Sequence, residues 1–474
     1  MKPMKRRLIN LRIPIAGNET ASREILVVNG KIAEVTPPRG RTPGEDLEDD
    51  VEVLNLGGRL LLPGVIDGHV HFDDPGFTHR ETFETGTRAA AAGGVTCVVD
   101  MPCTSLPPVT CPVSLRSKLD VIRPKAHVDF MLWGGVSGNV MAEPDWREKL
   151  RGLVEAGVSS VKVYLLSGMD TFRDLSRVQL EEVLFETRAL GIPVGVHAED
   201  RDMVRALEAG LMEGGRDAPL DYAASRPEAA EVSAVQTMAD LCRTTGARVH
   251  IVHVASSEAM DVIARARRAD LPLSGETCPH YLAFTVDDLR QQGALLKTAP
   301  VVKSESDRNG LWEGLSSGKL EYLATDHAPG LWPTEKETGS IWTDYGGVPG
   351  VETSLPYLYS EGVRKGRLTL QRLTEITSSA PARFFGIDHR KGRIEPGLDA
   401  DFAVLDETDR WTVRAEDLHN LNRYTPLDGR ELVGRVWATI LRGERIYSRT
   451  PAGFETFGEA GYGQWVRREK RVES

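Results

Sequence analysis

A chain of 474 residues is long enough for one large α/β barrel and a smaller module, and 41% apolar with 27% charged residues is the balance of a folded globular protein. A formal net charge of −11 argues against a nucleic-acid partner, which needs a basic face for phosphate. No run approaches the roughly 18 apolar residues of a membrane span, so no membrane partner is expected.

The start, Met1-Lys2-Pro3-Met4-Lys5-Arg6-Arg7, is basic, but Asn10, Arg12 and Pro14 interrupt the next segment, so no secretory leader is expected. The five cysteines (Cys97, Cys103, Cys111, Cys242, Cys278) are odd in number and lack paired spacing. That pattern fits a reducing, cytoplasmic compartment without a disulfide framework.

Residues 5–60 carry short apolar or alternating runs, such as Ile25-Leu26-Val27-Val28, with turn signals at Asn29-Gly30 and Gly57-Gly58. From about residue 60 to 385, β-branched runs alternate with amphipathic ones. Strands are predicted at 64–71, 95–101, 127–133, 160–166, 193–197, 248–254, 273–278 and 321–326. Helices are clearest at 81–92, 146–156, 179–190, 229–245, 257–269 and 307–315. Eight such units predict a closed parallel (β/α)₈ TIM-like barrel. Residues 390–450 return to β patterning, so the two chain ends are expected to build one small β-sandwich. The domain reading is 1–62 and 389–450 for the sandwich, 63–388 for the barrel, and 451–474 for a Gly- and charge-rich surface tail.

Chemistry in such a barrel sits at the C-terminal ends of the strands. The first strand ends in His69 and His71. Positions i and i+2 of a strand share a face, so both imidazoles can converge on one ion. The fifth strand ends in His197, the sixth closes around His253, and the eighth ends in Asp326. The fourth, Ser160-Val161-Lys162-Val163-Tyr164-Leu165-Leu166, holds one lysine in an apolar run. A buried ammonium has its pKa driven down. The neutral amine can then take up carbon dioxide, and the carbamate is an anionic ligand with two oxygens that can bridge two cations. Taken singly, each residue has a structural explanation: a strand-end histidine in the core, a snorkelling lysine, an aspartate capping a helix. Their order along five strands outweighs those readings.

These residues fall in segments that resemble the amidohydrolase superfamily, in its cyclic-amide branch of allantoinases, dihydroorotases and hydantoinases, from Ile25 to about Gly443. The segments are Asp67-Gly68-His69-Val70-His71-Phe72, Val196-His197-Ala198-Glu199, His250-Ile251-Val252-His253, Glu276-Thr277-Cys278-Pro279-His280 and Ala324-Thr325-Asp326-His327-Ala328-Pro329. The resemblance implies two divalent metals, zinc, as cofactors. One would be held by His69, His71, carboxylated Lys162 and Asp326, the other by the same Lys162 carbamate with His197 and His253. It implies a hydrolase that opens a cyclic amide or ureide with a metal-activated hydroxide, Asp326 being the catalytic acid–base. A small-molecule substrate and a homodimer or homotetramer are expected with it.

Two departures narrow the substrate. Asp73 and Cys103 stand where dihydroorotases hold the substrate carboxylate with Arg and Asn, and Ser167 stands where hydantoinases place a tyrosine. Ser167 and the Trp133-Gly134-Gly135 segment are similar to allantoinases, whereas Gly346-Gly347-Val348-Pro349-Gly350 reads more like dihydroorotases. The substrate contacts that the resemblance implies are Asp73, Cys103, Ser167, Ala299 and Gly347. Allantoinase leads, with dihydroorotase or a hydantoinase/dihydropyrimidinase-like enzyme as the alternative and an inactive scaffold last.

Overall fold

The computed structural model describes residues 4–38, 51–450 and 452–469; Met1 to Pro3 of the basic start and the last five residues of the expected tail lie outside these. Four strands open the chain: β1 (Lys5–Ala16), β2 (Glu19–Val28), β3 (Lys31–Thr36) and β4 (Val51–Pro63). The barrel strands come next: β5 (Val65–Val70), β6 (Val95–Asp100), β7 (Asp129–Leu132), β8 (Gly134–Gly135), β9 (Val161–Tyr164), β10 (Val194–His197), β11 (Val249–Ile251), β12 (Leu273–Thr277) and β13 (Tyr322–Leu323). Since β7 and β8 continue one another across Trp133, these make the eight expected staves. All pair in parallel, as β5-β6-β7 and β8-β9-β10-β11-β12-β13. The ring closes where the Asp326 amide donates to the His69 carbonyl (2.9 Å) and the His71 amide to the His327 carbonyl (2.8 Å). Asp67 reinforces that seam by accepting from the Thr325 amide and hydroxyl, at 2.9 and 2.5 Å.

The six predicted helices form, with ends that shift to where capping allows. The patterning predicts helices whose first residues are Gln179 and Asp307. Instead each returns a side-chain bond to the cap (Ser176, Ser304), so the helices begin earlier, as Arg177–Ala189 and Glu305–Ser317.

The strands β14 (Phe402–Thr412), β15 (Glu431–Leu441), β16 (Glu444–Arg449) and β17 (Glu455–Phe457) join the first four in one eight-stranded sheet, ordered β17-β16-β15-β14-β4-β1-β2-β3. Alternation divides each central strand between two cores. Leu60 and Leu62 of β4 pack toward the barrel, while Leu61 joins Phe402, Val404 and Ile440 in the core of the sandwich. Asn29-Gly30 makes the predicted tight turn, with φ of 50° and 78°. Gly57-Gly58 does not turn the chain. It lies inside β4, where the register against β1 slips between Ile9↔Asn55 and Leu11↔Arg59, so the two glycines absorb a bulge.

The segment expected as a surface tail is largely committed to the body of the protein. β17 extends the sheet, and Gln464 and Val466 hydrogen-bond to Phe130 at the start of β7, with Val466 in the core beside Trp133. Charge and glycine content did not reveal this, because the pairing depends on a strand more than 300 residues away. His419 ties the same region down, with Nδ1 2.9 Å from Glu352 and Nε2 3.0 Å from Glu455. Burial opposes the charged ring, but the two carboxylates outweigh it and push its pKa up to about 9. Its stabilisation is therefore complete below the unfolded pKa near 6.5 and lost as pH rises through about 9. After allowance for solvent screening, unfolding titrations should show a loss of roughly 1–2 kcal/mol across that window. His419→Gln should flatten the slope there, and an unchanged slope would remove His419 as its source.

Candidate metal centre

The expected ligand residues come together inside the mouth of the barrel. Strand β5 aims His69 and His71 inward, their Nε2 atoms 3.2 Å apart, and Oδ1 of Asp326 stands 3.1 Å from each. Across the mouth, His197 Nδ1 faces His253 Nε2 at 3.1 Å, and the rings of His69 and His253 are 5.5 Å apart. Two nitrogens sharing one tetrahedral zinc at about 2.1 Å each would stand roughly 3.2–3.4 Å apart, close to what both pairs show. Three residues of this region hold positive φ without being glycine: Asp73 (33°), His253 (43°) and Asp326 (49°). Such backbone is uncommon outside glycine and marks all three as locally constrained.

Lys162 is close enough to both groups for its charge to act on His69, His197, His253 and Asp326. It is wholly buried on β9, and among the described residues its Nζ has no hydrogen-bond partner. Burial holds its pKa down. An uncompensated ammonium is the worst occupant of such a place; a neutral amine could instead take up carbon dioxide, and the carbamate would offer anionic oxygens to metal ions held by the surrounding imidazoles. The residues fit a two-metal centre. A second acidic group, Asp129–Asp399–Asp401, also converges closely enough for an ion. Its centre is filled by the ammonium of Lys391, 2.7, 3.2 and 2.5 Å from the three carboxylates, so it is an internal ion network joining barrel to sandwich.

The side chains behind the ligands escaped the sequence reading. His69 Nδ1 meets Glu276 at 2.7 Å, and the other oxygen of Glu276 meets His250 at 3.1 Å. His197 Nε2 meets Glu199 at 2.8 Å, and Glu199 in turn accepts from Arg226 at 2.6 Å. Burial alone would raise the Glu199 pKa, but Arg226 and His197 bring it down to about 2. A carboxylate behind an imidazole fixes its tautomer and leaves the opposite nitrogen free for an ion. Position held a clue only for Glu199, two residues beyond His197. Glu276 is 207 residues from His69 in sequence.

The five expected substrate contacts are placed unevenly. Cys103 is buried, its Sγ 3.8 Å from His71 Nδ1. Asp73 is also buried, and among the described residues neither carboxylate oxygen has a hydrogen-bond partner. Ser167 donates to the Phe172 carbonyl (2.8 Å) and accepts from the Met169 amide (3.1 Å), so its hydroxyl is occupied within its own loop. The Gly347 amide donates to the Lys297 carbonyl (2.8 Å), and its carbonyl accepts from Lys336 (2.5 Å). A side chain at Gly347 would strike the Ala328 carbonyl at 2.3 Å, and φ there is 150°. Ala299 is half-buried.

Residues 60–445 match the Amidohydrolase family. The chain belongs to that family. Among curated members it is 40% identical to an allantoinase of Streptomyces avermitilis over 90% of this chain and 92% of that one. It is 38% identical to an allantoinase of Rubrobacter xylanophilus over the same shares. Among solved structures it is similar to the L-hydantoinase (dihydropyrimidinase) of Arthrobacter aurescens, with a TM-score of 0.90 and 31% identity over 98% of this chain and 99% of that one. This family architecture, a (β/α)₈ barrel with a sandwich of both chain ends, is the one described above. No helix of the described residues is long and apolar enough to cross a membrane.

Proposed function

We propose that the protein is a metal-dependent allantoinase, opening the hydantoin ring of allantoin to give allantoate. The observation that carries the hydrolase reading is the orphaned Lys162 Nζ, close to both His69–His71–Asp326 and His197–His253. Divalent metals held there, zinc by ligand type, would lower the pKa of water and polarise the scissile carbonyl. The protein supplies the proton transfers. Burial would raise the Asp326 pKa, but His69 and His71 outweigh it and hold the carboxyl well below its usual range. Asp326 is therefore a carboxylate at neutral pH, able to take the proton of the attacking water and return it to the ring nitrogen as the C–N bond breaks.

The substrate reading rests on the allantoinase relatives and on two positions. Asp73 and Cys103 give no cation for a substrate carboxylate, and an unpaired carboxylate beside Asp73 would be penalised. A neutral ring with a ureido tail meets that requirement. Because the Ser167 hydroxyl is held by Phe172 and Met169, it reaches a substrate only by exchanging those bonds. The kcat/KM for allantoin should exceed that for dihydroorotate by about tenfold or more, the scale of one lost charged hydrogen bond. Preference for dihydroorotate would sink the assignment. The similarity to solved hydantoinases supports a second reading, so hydantoin and dihydrouracil belong in the same panel; turnover of either above allantoin would favour it.

A further inference from the structure

Tyr164 links the two halves of the centre, touching His197 directly and His71 by way of Cys103. It lies two residues beyond Lys162 on β9, so both point into the barrel, and the Lys162 Nζ lies 4.8 Å from its ring centre. Strand register sets it beside His197, and the two rings stack at 5.2 Å with 24° between planes. At the far end its hydroxyl stands 3.2 Å from the Cys103 sulfur. That sulfur is also the atom 3.8 Å from His71 Nδ1. One ring thus touches a histidine of one pair directly and a histidine of the other through a thiol.

The link matters because the histidines are not equally supported. His69 and His197 are each backed by a carboxylate. Among the described residues no carboxylate backs His71: its Nδ1 has Thr104 Oγ1 at 3.3 Å and the Cys103 sulfur at 3.8 Å. To offer Nε2 to an ion, a neutral His71 must carry its proton on Nδ1 and needs an acceptor there. A tyrosine hydroxyl is a donor at neutral pH. With the tyrosine hydroxyl as donor to Cys103, the sulfur would keep a lone pair for the His71 N–H. Ser167, the hydroxyl that sequence reasoning favoured, is turned into its own loop.

We propose that Tyr164 and Cys103 form a yoke that positions both histidine pairs, Tyr164 holding His197 by stacking and His71 through the Cys103 thiol. This rests on the two-metal reading of the same site. It assigns Tyr164 a positioning role, exerted through the two histidines it holds.

The test uses the full-length protein loaded with cobalt(II), titrated with a chelator while bound metal and the visible cobalt spectrum are monitored. Tyr164→Phe keeps the stack and removes the hydroxyl; Cys103→Ala removes the relay; Cys103→Ser keeps a small acceptor. In Tyr164→Phe and in Cys103→Ala, one of two metals should be released at a chelator concentration lower by about tenfold or more, the usual scale for a lost outer partner. The double variant Tyr164→Phe/Cys103→Ala should be no worse than the poorer single one, because both changes cut one chain of contacts. Cys103→Ser should recover part of the loss. Melting temperatures of the metal-free proteins should agree, separating loss of positioning from unfolding. Wild-type chelator resistance and spectrum in Tyr164→Phe, or additive losses in the double variant, would overturn the yoke while the metal centre stands. A wild-type protein that retains no divalent metal would overturn the centre itself, and the yoke with it.

Discussion

Lys162→Ala protein should lose most of both metals, and its turnover should fall by about three orders of magnitude, some 4 kcal/mol of barrier. The nitrogen acts on histidines of both groups and has no hydrogen-bond partner among the described residues, so none of these is placed to substitute for it. The loss should come without unfolding. Removing an unpaired buried amine removes a desolvation cost, and that offsets the cavity left by its stem. Metal analysis and circular dichroism on the same sample separate the two effects. Short carboxylic acids such as acetate or propionate, able to enter the vacated space, should restore part of the metal and part of the rate. A Lys162→Ala protein with two tightly held metals would show that the lysine is not part of the centre.

Asp326→Asn should cut kcat by about two orders of magnitude or more, the size of a general acid–base contribution with lost metal activation added to it. The amide has nearly the shape of the carboxylate, so the barrel mouth and its backbone bond to His69 should persist. An amide cannot accept the proton of the attacking water. KM should move by less than about tenfold, because the substrate is held by other groups. Near-normal kcat would require a different base, and the buried His280, whose Nε2 has no partner among the described residues, would be the first to examine.

The barrel was legible because each unit announces itself locally. A β-branched run buried on both faces and a helix with one apolar stripe leave different periods in the sequence. The strand-end placement of His69, His71, His197, His253 and Asp326 came from the same reading, since chemistry in this architecture gathers at one end. What escaped depends on partners remote in sequence. Glu276 reads as one more polar residue at a strand end until the fold brings it to His69 and His250. Ser167 reads as a free hydroxyl until its loop closes on Phe172. Gly57-Gly58 reads as a turn because glycine pairs signal positive φ, and positive φ serves a bulge equally well. The C-terminal segment reads as polar because its anchors, Gln464 and Val466, are too few to make a period.

The pairing of β4 with β14 carries a consequence for the nascent chain. Leu60, Leu61 and Leu62 present their backbone edge to Leu405, Val404 and Ala403. Those partners lie about 340 residues further along, with the whole barrel between them. At roughly 5–20 residues per second, synthesis leaves that edge without its partner for about 20–70 s. Throughout that interval three consecutive leucines sit on an open strand, the arrangement most prone to pair with another chain. The last strands of the sheet therefore complete the domain and also remove from solution the site at which two half-made copies would join.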